Sequence, residues 1–276
     1  MNQWITLSQQ KGVNLSQRCS LASTDERFIY APHEKLALQE MELTDNNKTK
    51  LPEWNVQNYL VPLNYVSTNP NLFEYEGSAI VGSYITDNKI KIPYYSPSNL
   101  LITTIGDGAF ENTNLTEVTI PDSVTNIGKL AFGKCNNLTK ITLGKNLITI
   151  GELAFYNDTA LTEVTIPDSV TSIIYGAFMD CNNLTKITLG KNLTTIGASA
   201  FWNDTALTEV TIPDSVTTIG QAAFCYCNNL TKITLGKNLI TIGECAFSET
   251  NLTKVEIPDS VTSIGDYAFP RYCRCR

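Results

Sequence analysis

Histidine is almost missing from this chain: His33 is the only one in 276 residues. Its scarcity removes the usual general base and the commonest metal ligand. The eight cysteines include no CxxC pair, so a zinc site has little to be built from. No P-loop, GxGxxG fingerprint or nucleophile elbow is present. Without a positioned base, nucleophile or metal the chain reads as non-enzymatic, and neither cofactor nor metal is expected. Net positive charge is also lacking; the balance is −7, which argues against a nucleic-acid partner. No apolar run approaches the ~20 residues that cross a bilayer, so membrane insertion is not expected. The N-terminus, MNQWITLSQQKGVNLSQ, has neither the basic start nor the apolar stretch of a secretory signal. Taken alone, that reads as cytoplasmic, or as a chain whose export signal lies outside this sequence.

What is abundant is repetition. From Leu115 to Phe269 the sequence recurs every 23 residues, and alternate copies agree better, giving a second period of 46. LTEVTIPDSVTNIGKLAFGKCNN (Leu115 to Asn137) is followed by LTKITLGKNLITIGELAFYNDTA (Leu138 to Ala160), and the pair returns from Leu161 and from Leu207. A fixed period of this size predicts a solenoid of 23-residue turns, in which each unit buries its apolar face against its neighbours.

One unit can be read as a turn. Leu115, Val118 and Ile120 form a short strand pointing inward, and alternation then turns Thr119 outward. Thr142, Thr165, Thr188, Thr211 and Thr234 repeat that position, predicting a threonine row on a parallel sheet. Pro121 or Gly144 ends the strand, Val124 and Ile127 point inward again, Gly128 turns the chain, and Ala131-Phe132 closes the unit. The series Phe110, Phe132, Phe155, Phe178, Phe201, Phe224, Phe247 and Phe269 should form an internal aromatic spine. Charges alternate with the longer period: Glu117, Lys140, Glu163, Lys186, Glu209 and Lys232 share one position, and Asp122, Lys145, Asp168, Lys191, Asp214 and Lys237 another. Each acid thus lies beside a base one turn away, a self-neutralising arrangement that disfavours one-turn slips. Cys135, Cys181 and Cys227 recur two turns, ~10 Å, apart, too far to bridge, and read as buried small hydrophobes.

The run IPxSVTxIGxxAFxxCxxL, present in tandem over roughly Ile92 to Phe269, resembles the BspA-like leucine-rich repeats. The resemblance implies a right-handed, β-rich solenoid with a parallel sheet and few or no regular helices. It also implies an adhesive, protein-binding role at a bacterial or protist cell surface, or a secreted one, and no catalytic motif.

Three regions follow: a non-repeat, irregular N-terminal cap over 1–88, the leucine-rich-repeat solenoid over 89–269, and a tail over 270–276. In the cap, 33–43 has a short helical pattern, and strands are expected at Ala79 to Ile85 and Lys89 to Pro93. Lys91-Ile92-Pro93 and Ile102 to Phe110 read as halves of a degenerate first repeat split by Tyr94 to Leu101. The tail, PRYCRCR, suggests a second role: a folded leader or carrier presenting Tyr272, Cys273 and Cys275 to a modifying enzyme, with both thiols exposed and disordered. For the principal reading, a protein or peptide ligand, the candidate surface is where repeats differ. The residue after Phe reads Tyr156, Met179, Trp202 and Cys225 in four successive turns, with Tyr175, Tyr226 and Tyr267 at neighbouring variable positions. Contiguous aromatic and Met side chains are what interaction sites favour, although the same residues could simply pack over the edge of the Phe spine.

Overall fold

The computed structural model describes residues 67–270 together with the strands Phe28–Ile29, Val61–Pro62 and Arg274–Cys275. The expected helix at 33–43 lies outside the described residues. Residues 102–269 coil into a parallel β-solenoid whose turns carry two short strands each and no regular helix. In the first turns the strands are Glu117–Thr119 and Asn126–Ile127, then Lys140–Thr142 and Thr149–Ile150, and the pattern continues to Lys254–Val255 and Ser263–Ile264. Such short strands follow from the sequence: only four residues separate Thr116 from Pro121, or Thr139 from Gly144, where the Pro or Gly ends pairing.

The second strand of each turn joins a single 10-stranded sheet ending at Ser263–Ile264. At its other end Phe73–Glu76 pairs antiparallel with Ala79–Ser83, and the Phe73 ring sits edge-on to Phe110, with centroids 6.1 Å apart. Phe73 and Ile80 of that hairpin are buried in the same core as the repeats. Lys89–Lys91 pairs with Glu117–Thr119, and Thr104–Ile105 joins the long sheet, while Tyr94, Tyr95 and Leu101 form a small cluster of their own between them.

The first strands do not form one sheet. After a three-stranded group they pair in twos, Glu163–Thr165 with Lys186–Thr188 and Glu209–Thr211 with Lys232–Thr234, so the 46-residue period of the sequence reappears as a pairing period. Register places Glu163 opposite Lys186 and Thr165 opposite Thr188, as alternation requires. At the strand exits each acid catches the next turn twice. Asp122 Oδ1 accepts the Lys145 N–H at 2.9 Å while Oδ2 meets the Lys145 ammonium at 2.9 Å. Asp168 with Lys191 and Asp214 with Lys237 repeat the arrangement. These ion pairs hold Asp168 and Asp214 below the usual carboxylate range and raise their lysines, but all are solvent-exposed and screened.

Inside, eight phenylalanines from Phe110 to Phe269 stack with centroids 5.0–5.5 Å apart and planes within 18° of parallel. Ile127, Ile150, Ile173, Ile196, Ile219 and Ile242 are buried beside them, whereas Ile264 of the last described turn is 48% exposed. The tail was expected to leave the repeat after Phe269. Instead Arg274–Cys275 pairs in parallel with Lys254–Val255, at the place where the first strand of another turn would lie.

Candidate functional site

The third side of the solenoid has no strands, yet hydrogen bonds run along it from turn to turn. In one turn the N–H groups of Leu130, Phe132 and Lys134 donate to the carbonyls of Glu152, Ala154 and Tyr156 one turn on. Between them Ala131, Gly133 and Cys135 donate back to Gly128, Leu130 and Phe132. Every amide from Leu130 to Cys135 is thus satisfied, half within the turn and half between turns. This alternation requires two residues per turn in the left-handed region. One set is Leu130, Leu153, Gly176, Ser199, Ala222, Cys245 and Tyr267; the other is Asn112, Lys134, Asn157, Asp180, Asn203, Tyr226 and Glu249.

Those left-handed residues and their neighbours are the positions that vary between repeats, and they form the outer face of this loop ladder. The predicted row is in register, because Asn157, Asp180 and Asn203 donate in turn to the carbonyls of Met179, Trp202 and Cys225. Its depth differs from expectation. Tyr156, Met179 and Trp202 are half-buried, and Cys225 is buried, so it drops out of the surface. Burial pushes the Cys225 thiol up to about 11. The exposed rings belong to the neighbouring positions: Tyr175, Tyr226 and Tyr267 are 48%, 44% and 72% exposed. Trp202 and Tyr226 touch edge-to-face, with centroids 5.5 Å apart, and join the two sets into one patch. Of the tail residues, Tyr272 and Cys273 lie outside the described residues, while Cys275 stands opposite Val255 in the added strand.

Tyr226 and Tyr267 occupy left-handed backbone, at φ +63° and +55°. An L side chain there costs roughly 1–2 kcal/mol, least for Asn and nothing for Gly. Asn occupies Tyr226's position in three other turns, at Asn112, Asn157 and Asn203, so the tyrosine stands where the backbone prefers something else.

The sequence reading missed a second feature, inside the core. Cys135, Cys181 and Cys227 are buried and unbridged, as expected, and each thiol donates to a phenylalanine carbonyl of the preceding turn, Cys135 to Phe110, at 3.1 Å. Between them lie two aspartates with no exposure, Asp158 and Asp204, whose Oδ1 atoms accept the Cys135 and Cys181 N–H groups at 2.8 and 2.9 Å. Their Oδ2 atoms have no partner. Burial pushes both carboxyls well above the usual range. The signal was available: in NDTA the acid occupies the column that alternate turns fill with cysteine. No group of three metal-ligating side chains converges among the described residues, and none of their helices is long and apolar enough to cross a membrane.

Comparison with known proteins fits this architecture. The chain resembles the Treponema pallidum leucine rich repeat protein, with a TM-score of 0.60 and 24% identity over 75% of this chain and 92% of that one. A leucine-rich repeat protein from Bacteroides ovatus gives 0.52 and 26%, covering 70% of this chain and 58% of the other. A leucine rich cell surface protein from Faecalibacterium prausnitzii gives 0.55 and 29%, covering 75% and 52%. Against these last two the chain spans little more than half of the relative's length. No curated protein matches it. Residues 103–205 and 194–275, more than half of the chain, match the BspA type leucine rich repeat region in six copies. With eight stacked phenylalanines, paired strands and that match, the chain belongs to the BspA-type leucine-rich repeat family.

Proposed function

We propose that this protein is a non-enzymatic binding module of adhesin type, working at the cell surface, whose loop ladder holds a protein partner. The observation that carries the reading is Tyr226: a half-exposed ring in unfavourable left-handed backbone, in contact with Trp202. Selection for stability alone would leave Asn there, as in three sister turns. The likeness to a leucine rich cell surface protein supports the location. The carrier reading is the weaker one, since Arg274–Cys275 joins the stack as a strand and is not left free.

Two measurements test this. A photo-crosslinking residue placed at Trp202, but not one at Thr188 on the sheet, should trap a partner polypeptide in producing cells. Titrated with that purified partner, Trp202→Ala with Tyr156→Ala should weaken binding ~10-fold or more, because aromatic anchors can each contribute 2 kcal/mol or more. The melting temperature should stay nearly constant; a large fall with binding unchanged would assign these rings to the core. Separately, Tyr226→Asn should raise stability by up to about 1 kcal/mol, by relieving left-handed strain, while lowering partner affinity. A variant that gains stability and binds as well as wild type would remove Tyr226 from the site.

A further inference from the structure

Charge on the loop ladder is distributed very differently from charge on the sheets. On the first-strand side acids and bases alternate turn by turn and neutralise one another. On the loop face both cations sit at the N-terminal end: Lys129 pairs with Glu152, and Lys134 with Glu111. From Tyr156 to Tyr267, at the same four variable positions per turn, there is no Lys or Arg. That stretch instead carries Asp180, Glu244, Glu249 and Asp266. None of these four forms an ion pair among the described residues. Asp180 accepts a hydrogen bond from the Asn203 amide at 2.7 Å, and Glu244 one from Gln221 at 3.2 Å. Glu244, Glu249 and Asp266 are exposed. They share the face with Tyr175, Met179, Trp202, Tyr226 and Tyr267.

Aromatic faces attract cations through their quadrupole, and neighbouring carboxylates add a field of the same sense. We infer that the aromatic face from Tyr156 to Tyr267 docks an extended, Lys/Arg-bearing segment of a partner protein, its cations against Trp202, Tyr226 and Tyr267 and paired with Glu244, Glu249 and Asp266. This rests on the loop-face reading above and adds the class of partner. Five turn-to-turn steps of ~5 Å make the face ~25 Å long, which an extended segment of about eight residues spans. An acidic partner is disfavoured, because it would set like charges against the four unpaired carboxylates.

The test uses the full chain and three fluorescent peptides of equal length: one alternating Lys/Arg with Ser, one with Glu in place of every cation, and one with Gln. The basic peptide should bind, the Gln peptide at least 10-fold more weakly, and the Glu peptide not measurably. Raising the salt should weaken the basic peptide's binding, as exposed charges are screened. Glu244→Gln with Glu249→Gln and Asp266→Asn should cut affinity for the basic peptide ~10-fold or more without lowering the melting temperature. Trp202→Ala should cut it as well. Equal binding of all three peptides, each lost in Trp202→Ala, would overturn the charge inference and leave the loop face standing. Binding of the basic peptide that survives Trp202→Ala would overturn both, since the cations would then be held elsewhere on an acidic chain. Binding unchanged in the triple carboxylate variant would also overturn the inference.

Discussion

Replacing Gly190 with alanine should destabilise the solenoid by about 3 kcal/mol or more, among the largest effects expected of one methyl group in this chain. A Cβ at Gly190 would lie 2.7 Å from the Pro167 carbonyl carbon and 3.0 Å from Asp168 Cα, and nearer still to the Pro167 oxygen. The obstacle is backbone of the adjacent turn, so no rotamer change relieves it. Gly144 over Pro121 and Gly236 over Pro213 are built the same way. Each Pro-ended strand therefore needs a glycine in the turn stacked on its C-terminal side, which gives the alternation of IPDS and LGKN a steric cause. Because each turn contacts only its neighbours, spreading the stack at Gly190 should also uncouple the two halves, and melting should broaden or split. Gly77→Ala is the control. Unlike Gly190 it lies at positive φ, and nothing stands within 4 Å of its would-be Cβ, so only the backbone preference of about 1 kcal/mol is at stake. Calorimetry showing Gly190→Ala melting like wild type, or like Gly77→Ala, would mean the turns do not stack in this register.

Much of this architecture can be read from the sequence because it depends on alternation, and alternation survives in a string of letters. Thr119 to Thr234, the phenylalanine spine and the Asp–Lys steps all occupy fixed repeat positions, and register places them as that periodicity demands. The loop ladder is different. Its left-handed backbone is imposed by hydrogen bonds between turns, so its residues need no local signature. Leu130, Gly176, Ser199, Cys245 and Tyr267 all adopt the same conformation, and no propensity would group them. The row through Tyr156 and Trp202 could be read as a line but not in depth, so the sequence left open whether Cys225 faces out or packs over the Phe spine, where it is buried. The strand within the tail is hidden from the sequence for a related reason. Arg274–Cys275 returns to the sheet 20 residues after Lys254–Val255 and not 23, so a search at the repeat period passes over it. The buried aspartates escaped because the cysteine column was followed at two-turn intervals, skipping the turn between.

Those aspartates carry the second large effect: the protein should lose stability as pH rises above about 4, and Asp158→Thr with Asp204→Thr should abolish most of that loss. Burial raises both carboxyls well above the ordinary aspartate value of 3.8, and Asp180 acts in the same direction on Asp204. The hydrogen bonds from the Cys135 and Cys181 N–H groups oppose the shift without cancelling it. Between the unfolded and the folded pKa the native state binds more protons than the unfolded chain. The stabilising contribution is therefore complete below the unfolded value and is lost as pH rises through the folded one, with a slope approaching about 1.4 kcal/mol per pH unit for each carboxyl. The exposed Asp168 and Asp214, lowered by their lysines, act in the opposite sense and in a lower window: their contribution is present above the unfolded value and lost as pH falls through the folded one. The two groups can be separated by where the curve bends. Threonine is the replacement to use because the chain already places it in this column, at Thr113 and Thr250, where the hydroxyl donates to the carbonyl of its own turn's phenylalanine. Cys227, the residue one turn before Thr250, keeps its N–H bonded to Phe224, so loss of the aspartate acceptor is tolerated in at least one turn. Urea unfolding of wild type and double variant from pH 4 to 8 should give curves that diverge as pH rises, the variant being the more stable at pH 8. Parallel curves would mean that Asp158 and Asp204 reach water or an unseen proton partner, and that their burial does not govern the protein's response to pH.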